Sequence, residues 1–309
     1  MADLEVVFMD AGQGDCTLIV YPDGSLTLVD CGSTKSGTEA FGEIKKVIDR
    51  KFQSKQDFAL VLTHPDEDHY NLLRQIGVDA YLDGGGPCYI YYGGHISLYQ
   101  NQRENNYTYK LLNHFNEHHL TFRPPKFDIL PDTLLSRAGV NVTILAANCT
   151  GDPKSENAAK KNSNSIVLLV EYQGAKIFLM GDAFIQTENF IIDNLKHLNL
   201  LNRLQKSARD HVVLKMGHHG SDTSTCSDWV KLIQPEVIVV SSGTKSFNGK
   251  GMPTKTHLAS TTANTTLVTT GINQSYVVFD EANRPAFQPC LARSICSVPD
   301  SSLIAPPVL

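Results

Sequence analysis

The stretch Thr63-His64-Pro65-Asp66-Glu67-Asp68-His69 sets four metal-type ligands, His64, Asp66, Asp68 and His69, within six residues. Carboxylate oxygen and imidazole nitrogen together suit a divalent ion such as zinc or manganese. The cluster directly follows the apolar run Phe58 to Leu62, the pattern of a strand that delivers its ligands to a sheet edge. Two more apolar runs end alike: Met180 precedes Gly181-Asp182, and Met216 precedes Gly217-His218-His219. Loops along one edge of a layered α/β fold bring such residues together. Any one of these ends is compatible with a solvated turn; the three together read as a metal site. The pair His114 and His118, four apart on an expected helix, has no acidic residue between them and reads as an exposed face.

The elements that must position these residues are legible in outline. Glu5 to Met9 and Cys16 to Tyr21 flank a Gly/Asp turn and predict a hairpin, with a third strand over Ser25 to Asp30. Helical spacing runs from Thr38 to Lys51. After the ligand cluster, Tyr70 to Ile76 predicts a helix and Val78 to Leu82 a strand. From about 84 to 132 the chain is polar, tyrosine-rich and irregular, either packed or shaping access to a site. Strands resume at Val140 to Ala146, and Thr150 to Asn164 reads as a polar loop. A hairpin follows over Ile166 to Tyr172 and Ala175 to Met180, then a helix from Phe184 and a strand from His211 to Met216. Asp228 to Gln234 predicts a short helix, Pro235 to Ser241 a buried strand, and Leu267 to Thr270 and Ser275 to Phe279 the last two strands. The segment 283–309 holds five of the fourteen prolines and reads as a surface tail.

With 309 residues, 41% hydrophobic and 19% charged, the chain has the composition of a globular protein with a large core. A formal charge of −5 argues against a strongly electrostatic nucleic-acid binder, while leaving room for a local basic groove. There is no apolar run of the roughly 18 residues a membrane span requires. The first residues lack the features of a signal peptide. Seven scattered cysteines form no Cys-x-x-Cys pair, which predicts reduced thiols and a cytoplasmic location. Cys16 and Cys31 fall inside apolar strand patterns and predict core packing. In the Gly/Lys-rich loop 243–255, the stretch Gly243 to Lys250 is spaced one residue too long for a phosphate loop, and no Ser or Thr follows Lys250. Its Lys245, Lys250 and Lys255 face either phosphate or solvent.

The three strand ends, joined by Asp10-Ala11-Gly12-Gln13-Gly14-Asp15, Leu28-Val29-Asp30-Cys31-Gly32 and Asn162-Ser163-Asn164-Ser165, resemble the metallo-β-lactamase fold superfamily. More narrowly, they resemble the soluble hydrolase domain of ComEC/Rec2-type competence proteins. The matching stretches reach from residue 5 to about 280. The resemblance implies an αββα sandwich over 1–282, with the irregular insertion at about 84–132 and the tail 283–309 outside it. It also implies one or two divalent ions, zinc or manganese. His64 and Asp66 would hold one; Asp68, His69 and one histidine of the His218-His219 pair would hold the other; Asp182 would bridge them. Asp68 and Asp182 are the implied catalytic residues, acting with a metal-bound hydroxide. Asn164, Ser165, Lys245 and Lys250 are candidate substrate contacts. The chain departs from the family pattern in three places. Aspartate stands at position 66 where histidine is usual, no histidine lies between 120 and 181, and Met252 replaces the histidine of a Gly-His-Pro motif.

The expected activity is metal-dependent hydrolysis of a phosphodiester, in nucleic acid or a smaller phosphoester. No membrane partner is expected. Hydrolysis of another ester, a lactone, a thioester or an amide on the same scaffold is the alternative, and a non-catalytic binding module is a third reading.

Overall fold

The computed structural model describes residues 3–34, 38–84, 86–117, 121–122, 132–149, 152, 154–194, 201–242, 246–247, 250–254, 266–269, 275–279 and 285–289. The chain opens with β1 (Glu5–Phe8), β2 (Cys16–Val20) and β3 (Leu26–Cys31), followed by α1 (Thr38–Lys51) and β4 (Phe58–Leu62). Next come α2 (Leu73–Ile76), α3 (Val78–Leu82), β5 (Cys88–Tyr92), α4 (Tyr107–Glu117) and β6 (Thr121–Phe122). Then follow β7 (Asp132–Arg137), β8 (Val140–Ala146), α5 (Ala158–Ser163), β9 (Val167–Tyr172) and β10 (Ala175–Leu179). The rest runs α6 (Ile185–Asn194), α7 (Leu201–Leu204), β11 (His211–Lys215), α8 (Ser227–Ile233) and β12 (Val237–Val240). Five strands remain: β13 (Ser246–Phe247), β14 (Lys250–Gly251), β15 (Thr266–Thr269), β16 (Ser275–Phe279) and β17 (Pro285–Pro289).

One sheet has the order β17-β16-β1-β2-β3-β4-β5-β6 and the other β15-β12-β11-β10-β9-β8-β7; β13 and β14 form a separate ribbon. Both sheets are mixed. The pairs β3/β4 and β4/β5 are parallel in the first, and β10/β11 and β11/β12 in the second.

Alternation along the strands sorts their side chains into three cores. In β4, Phe58, Leu60 and Leu62 face α1 to α4, where they meet Ile44, Val47, Ile48, Leu73, Ile76 and Phe115. Val61, with Val6, Phe8, Ile19 and Val29, faces the second sheet and packs on Val142, Ile144, Leu168, Val170, Ile177 and Leu179. The outward residues of the second sheet, among them Leu169, Phe178, Leu214 and Ile238, pack on Ile191, Leu204, Trp229 and Ile233 of α6 to α8. Strands buried on both faces read as continuous apolar runs, as FALVL and VIVV do. Helix, sheet, sheet and helix layers make the expected αββα sandwich. Each fully buried Leu, Ile or Phe contributes roughly 1.5–3 kcal/mol of apolar transfer.

Four local expectations change. Val78 to Leu82 is a helix, because Val78, Tyr81 and Leu82 are its buried residues, at i, i+3 and i+4. The 84–132 stretch supplies β5, which pairs with β4 inside the first sheet, and α4. Its tyrosines pack: Tyr99 is fully buried between Tyr70 and Tyr92, with ring centroids 5.2 and 5.8 Å away, and its hydroxyl donates to Gly93 O. The polar 150–164 stretch contains α5, whose N-terminus is capped by the Asn157 side chain accepting from Lys160 N–H. Within the proline-rich terminal stretch, β17 pairs antiparallel with β16. Among the described residues no helix is long and apolar enough to cross a membrane.

Candidate metal centre

The ends of β4, β10 and β11 deliver their loops to one place, and two glycines let the backbones close there. A Cβ on Gly32 would lie 2.2 Å from the Asp68 carbonyl, and one on Gly14 2.6 Å from the same oxygen. The β1–β2 turn and the end of β3 can therefore lie directly on the ligand loop, where Asp15 N–H donates to Asp68 O at 3.1 Å.

Three imidazoles share one hydrogen-bonding pattern. His69 Nδ1 donates to Asp30 Oδ2 at 2.7 Å, and His219 Nδ1 donates to Ser241 O at 2.9 Å. His64 Nδ1 lies 3.1 Å from Thr63 Oγ1, which itself donates to Asp30 Oδ2 at 2.7 Å. Each Nδ1 is thus engaged. Each Nε2 is buried without a hydrogen-bond partner, and so is Asp182 Oδ1. His69 Nε2 is 3.3 Å and His219 Nε2 3.6 Å from Asp182 Oδ1; His64 Nε2 is 3.7 Å from Asp182 Oδ2. Asp68 Oδ2 approaches His219 Nε2 at 3.5 Å. Ligand atoms of His64, His69 and Asp182, and of Asp68, His69 and His219, lie within 4.8 Å of one another. Tautomers held from behind, with lone pairs aimed inward beside a carboxylate, fit a divalent cation.

The carboxylates make the pocket strongly negative, so it favours a positive charge, carried either by a proton on an imidazole or by a cation in its place. Burial opposes charge on His69 and His219. Even so, Asp182 with Asp30 holds His69 well above the usual imidazole range, and Asp182 with Asp68 raises His219. Burial likewise opposes ionisation of Asp182, Asp68 and Asp66, but the surrounding histidines, and Lys161 beside Asp66, hold all three carboxyls low. Opposite charges packed into a small volume stabilise each other's ionised forms.

The backbone carries the cost of this arrangement. Asp30, His218 and His219 have φ of 55°, 45° and 52°, a left-handed conformation unfavourable for residues with a Cβ. The two histidines of the pair part company there. His219 is buried and turned inward. His218 turns away, with Nδ1 2.7 Å from Thr223 Oγ1 and its ring 4.9 Å from that of Phe184. Beside it opens a cavity of about 370 Å³ lined by Cys149, Ala159, Lys160, Ser163, Phe184 and Gln186.

The remaining candidates fall in different places. Asp66 pairs with Lys161 rather than joining the inner cluster. Ser165 is fully buried and its hydroxyl accepts from Asp182 N–H at 3.2 Å; the Asn164 carboxamide donates to Asp152 O at 3.0 Å. Both therefore face the protein itself. Lys250 lies in β14, while Lys245, Lys255, His118 and residues 123–131 lie outside the described residues. Pro253, next to Met252, would be 2.6 Å from a Cβ on Gly220, which sets the Gly251-Met252-Pro253 turn against the His219 loop.

Asp15, Asp30 and Thr63 lie in the motif stretches but had no individual role expected of them, and Lys161 and Lys215, the buried partner of Asp15, were not expected at the site. Besides those motifs, the signal was a charged residue at the end of an apolar strand, Asp30 in LTLVDC and Lys215 in HVVLK.

No family model matches the chain. Over 240 residues it is 27% identical to Recombination protein 2 of Haemophilus influenzae, covering 77% of this chain and 24% of that protein. Over 255 residues it is 25% identical to ComE operon protein 3 of Bacillus subtilis, covering 77% and 28%. The chain spans about a quarter of the length of these curated relatives. The resemblance to ComEC/Rec2-type proteins expected from the motifs is met. Among solved structures it is similar to the metallo-beta-lactamase fold protein YhfI from Bacillus subtilis, at 11% identity and a TM-score of 0.48, over 86% of this chain and 95% of that one. A diphosphatase from the PhnP family matches at 12% identity and a TM-score of 0.46, over 90% and 98%.

Proposed function

We propose that this chain is a metal-dependent hydrolase acting on a phosphodiester, in nucleic acid or a smaller phosphoester. One observation carries the reading: three buried Nε2 atoms and Asp182 Oδ1 converge without hydrogen-bond partners. Asp68, His69, His219 and Asp182 would hold the metal, zinc or manganese, with His64 on the far side of Asp182. When bound, it lowers the pKa of a coordinated water and offsets charge on the attacking and leaving oxygens.

The chain's own groups do the rest. Asp30, Thr63 and Ser241 fix the imidazole tautomers from behind. Ser165 holds the Asp182 backbone, a positioning role in place of the substrate contact first expected of it. Asp68, kept ionised and about a quarter exposed, is the group placed to direct or accept the proton of the attacking water. Lys160 on α5, half exposed beside the cavity at Phe184, and Lys161, paired with Asp66, suit an anionic substrate. The similarity to Recombination protein 2 and ComE operon protein 3 supports a nucleic-acid substrate.

The test is turnover of bis-p-nitrophenyl phosphate with added manganese or zinc. His69→Ala and Asp68→Ala should each lower kcat by about 100-fold or more while the circular dichroism spectrum is kept. Retained activity in both variants would sink the reading, and selective cleavage of a carboxylic ester or lactone by the wild type would redirect it.

A further inference from the structure

Asp66 stands apart from the other ligand candidates. No set of three His, Cys, Asp or Glu ligand atoms within 4.8 Å of one another includes it among the described residues. Both its oxygens are taken by nitrogen donors from α5. The Lys161 ammonium pairs with Oδ1, and the Asn162 carboxamide donates to Oδ2 at 3.1 Å in the amide orientation that satisfies both groups. Yet Asp66 Oδ2 is only 3.6 Å from the unpartnered His64 Nε2, which in turn is 3.7 Å from Asp182 Oδ2. His64, Asp66 and Asp182 are thus the parts of a second cation position, with an ammonium group on its outer carboxylate. Lys161 and Asp66 are each about a fifth to a quarter exposed, so the pair sits at the mouth.

We infer that Lys161 is the resident cation of this half of the site, and that the chain consequently takes up one divalent ion rather than two. The inference rests on the metallohydrolase reading above. A carboxylate paired with an ammonium presents less negative charge to a dication, and a second dication placed there would face Lys161 at close range. Like-charge repulsion of this kind in a partly desolvated site outweighs what one carboxylate oxygen returns. The ammonium is also left able to meet an anionic oxygen of the substrate, as a point charge with three rotatable donors.

The test is metal stoichiometry by mass spectrometry of the elements and by titration calorimetry with Mn²⁺ and with Zn²⁺, on the chelator-stripped 309-residue chain. The wild type should take one ion per chain. Lys161→Met, which frees Asp66 to face His64 and Asp182, should take two, and Lys161→Arg, which keeps the charge, should take one. Lys161→Gln serves for the same readout if K161M does not fold by circular dichroism. Two ions in the wild type overturn the inference and leave the metallohydrolase reading standing. One ion in a folded K161M or K161Q also overturns it, since Lys161 would then not be what excludes the second. No ion in the wild type overturns the metal reading itself.

Discussion

Asp30 Oδ2 receives the Nδ1 proton of His69 at 2.7 Å, while its Oδ1 accepts from Thr63 N–H at the same distance. One buried carboxylate at the end of β3 thereby fixes both the start of the ligand loop and the tautomer of the histidine at its far end. Partners of this kind orient a metal ligand and raise its basicity.

Asp30→Asn keeps the volume but replaces an acceptor oxygen with a donor facing Nδ1 or Thr63. The expected result is a loss of roughly 10–100-fold in metal affinity, the usual effect of removing such a partner. Calorimetric titration with Zn²⁺ checks it. Affinity unchanged from the wild type would show that the His69 ring is held by packing alone.

Ser165→Ala removes the acceptor for Asp182 N–H in a fully buried position. Leaving that donor unsatisfied should cost about 1–3 kcal/mol of stability. The loosened Asp182 should lower kcat with little change in KM. Urea unfolding and steady-state kinetics give the two readings; a rise in KM alone would restore Ser165 as a substrate contact.

Asp210 gives a pH-dependent signature far from the candidate site. Burial alone would raise its carboxyl, but the Lys176 ammonium at 2.7 Å and Ser207 N–H at 2.8 Å hold it below the ordinary value. An acid whose folded pKa is depressed adds stability that is present above its unfolded pKa, near ~3.9, and is lost as pH falls through the lower folded pKa. Asp210→Asn should therefore be less stable than wild type at about pH 6, with the gap closing toward about pH 2. Denaturant midpoints across that range measure it, and a gap independent of pH would contradict the assignment.

The parts that were legible in the sequence are those written in consecutive residues. FALVL before His64, AKIFL before Asp182 and HVVLK before His219 each show a buried strand delivering a polar end, and the structure brings all three ends together. Short runs gave less. Val78 to Leu82 is five residues, too short for period 2 and period 3.6 to separate, and Gly77 at φ 70° makes the turn that starts a new helix. In CYIYY the tyrosines masked a strand whose pairing is set by its neighbour β4. The supporting groups were hidden for another reason. Asp15 and Lys215 lie 200 positions apart and Asp66 and Lys161 lie 95 apart, so nothing local in the sequence marks them as pairs. Which histidine of the 218–219 pair turns inward depends on two successive left-handed residues, a backbone feature that their side chains do not announce.

On the proposed function, convergent imidazole and carboxylate groups hold a metal that hydrolysis of a phosphodiester requires. The most direct measurement is the rate of bis-p-nitrophenyl phosphate hydrolysis before chelation, after chelation and dialysis, and after manganese or zinc is restored. Activity should fall to background on metal removal and return with either ion in the wild type, but not in Asp182→Asn. A rate that survives complete chelation, or the absence of hydrolysis with every metal supplied, would contradict it.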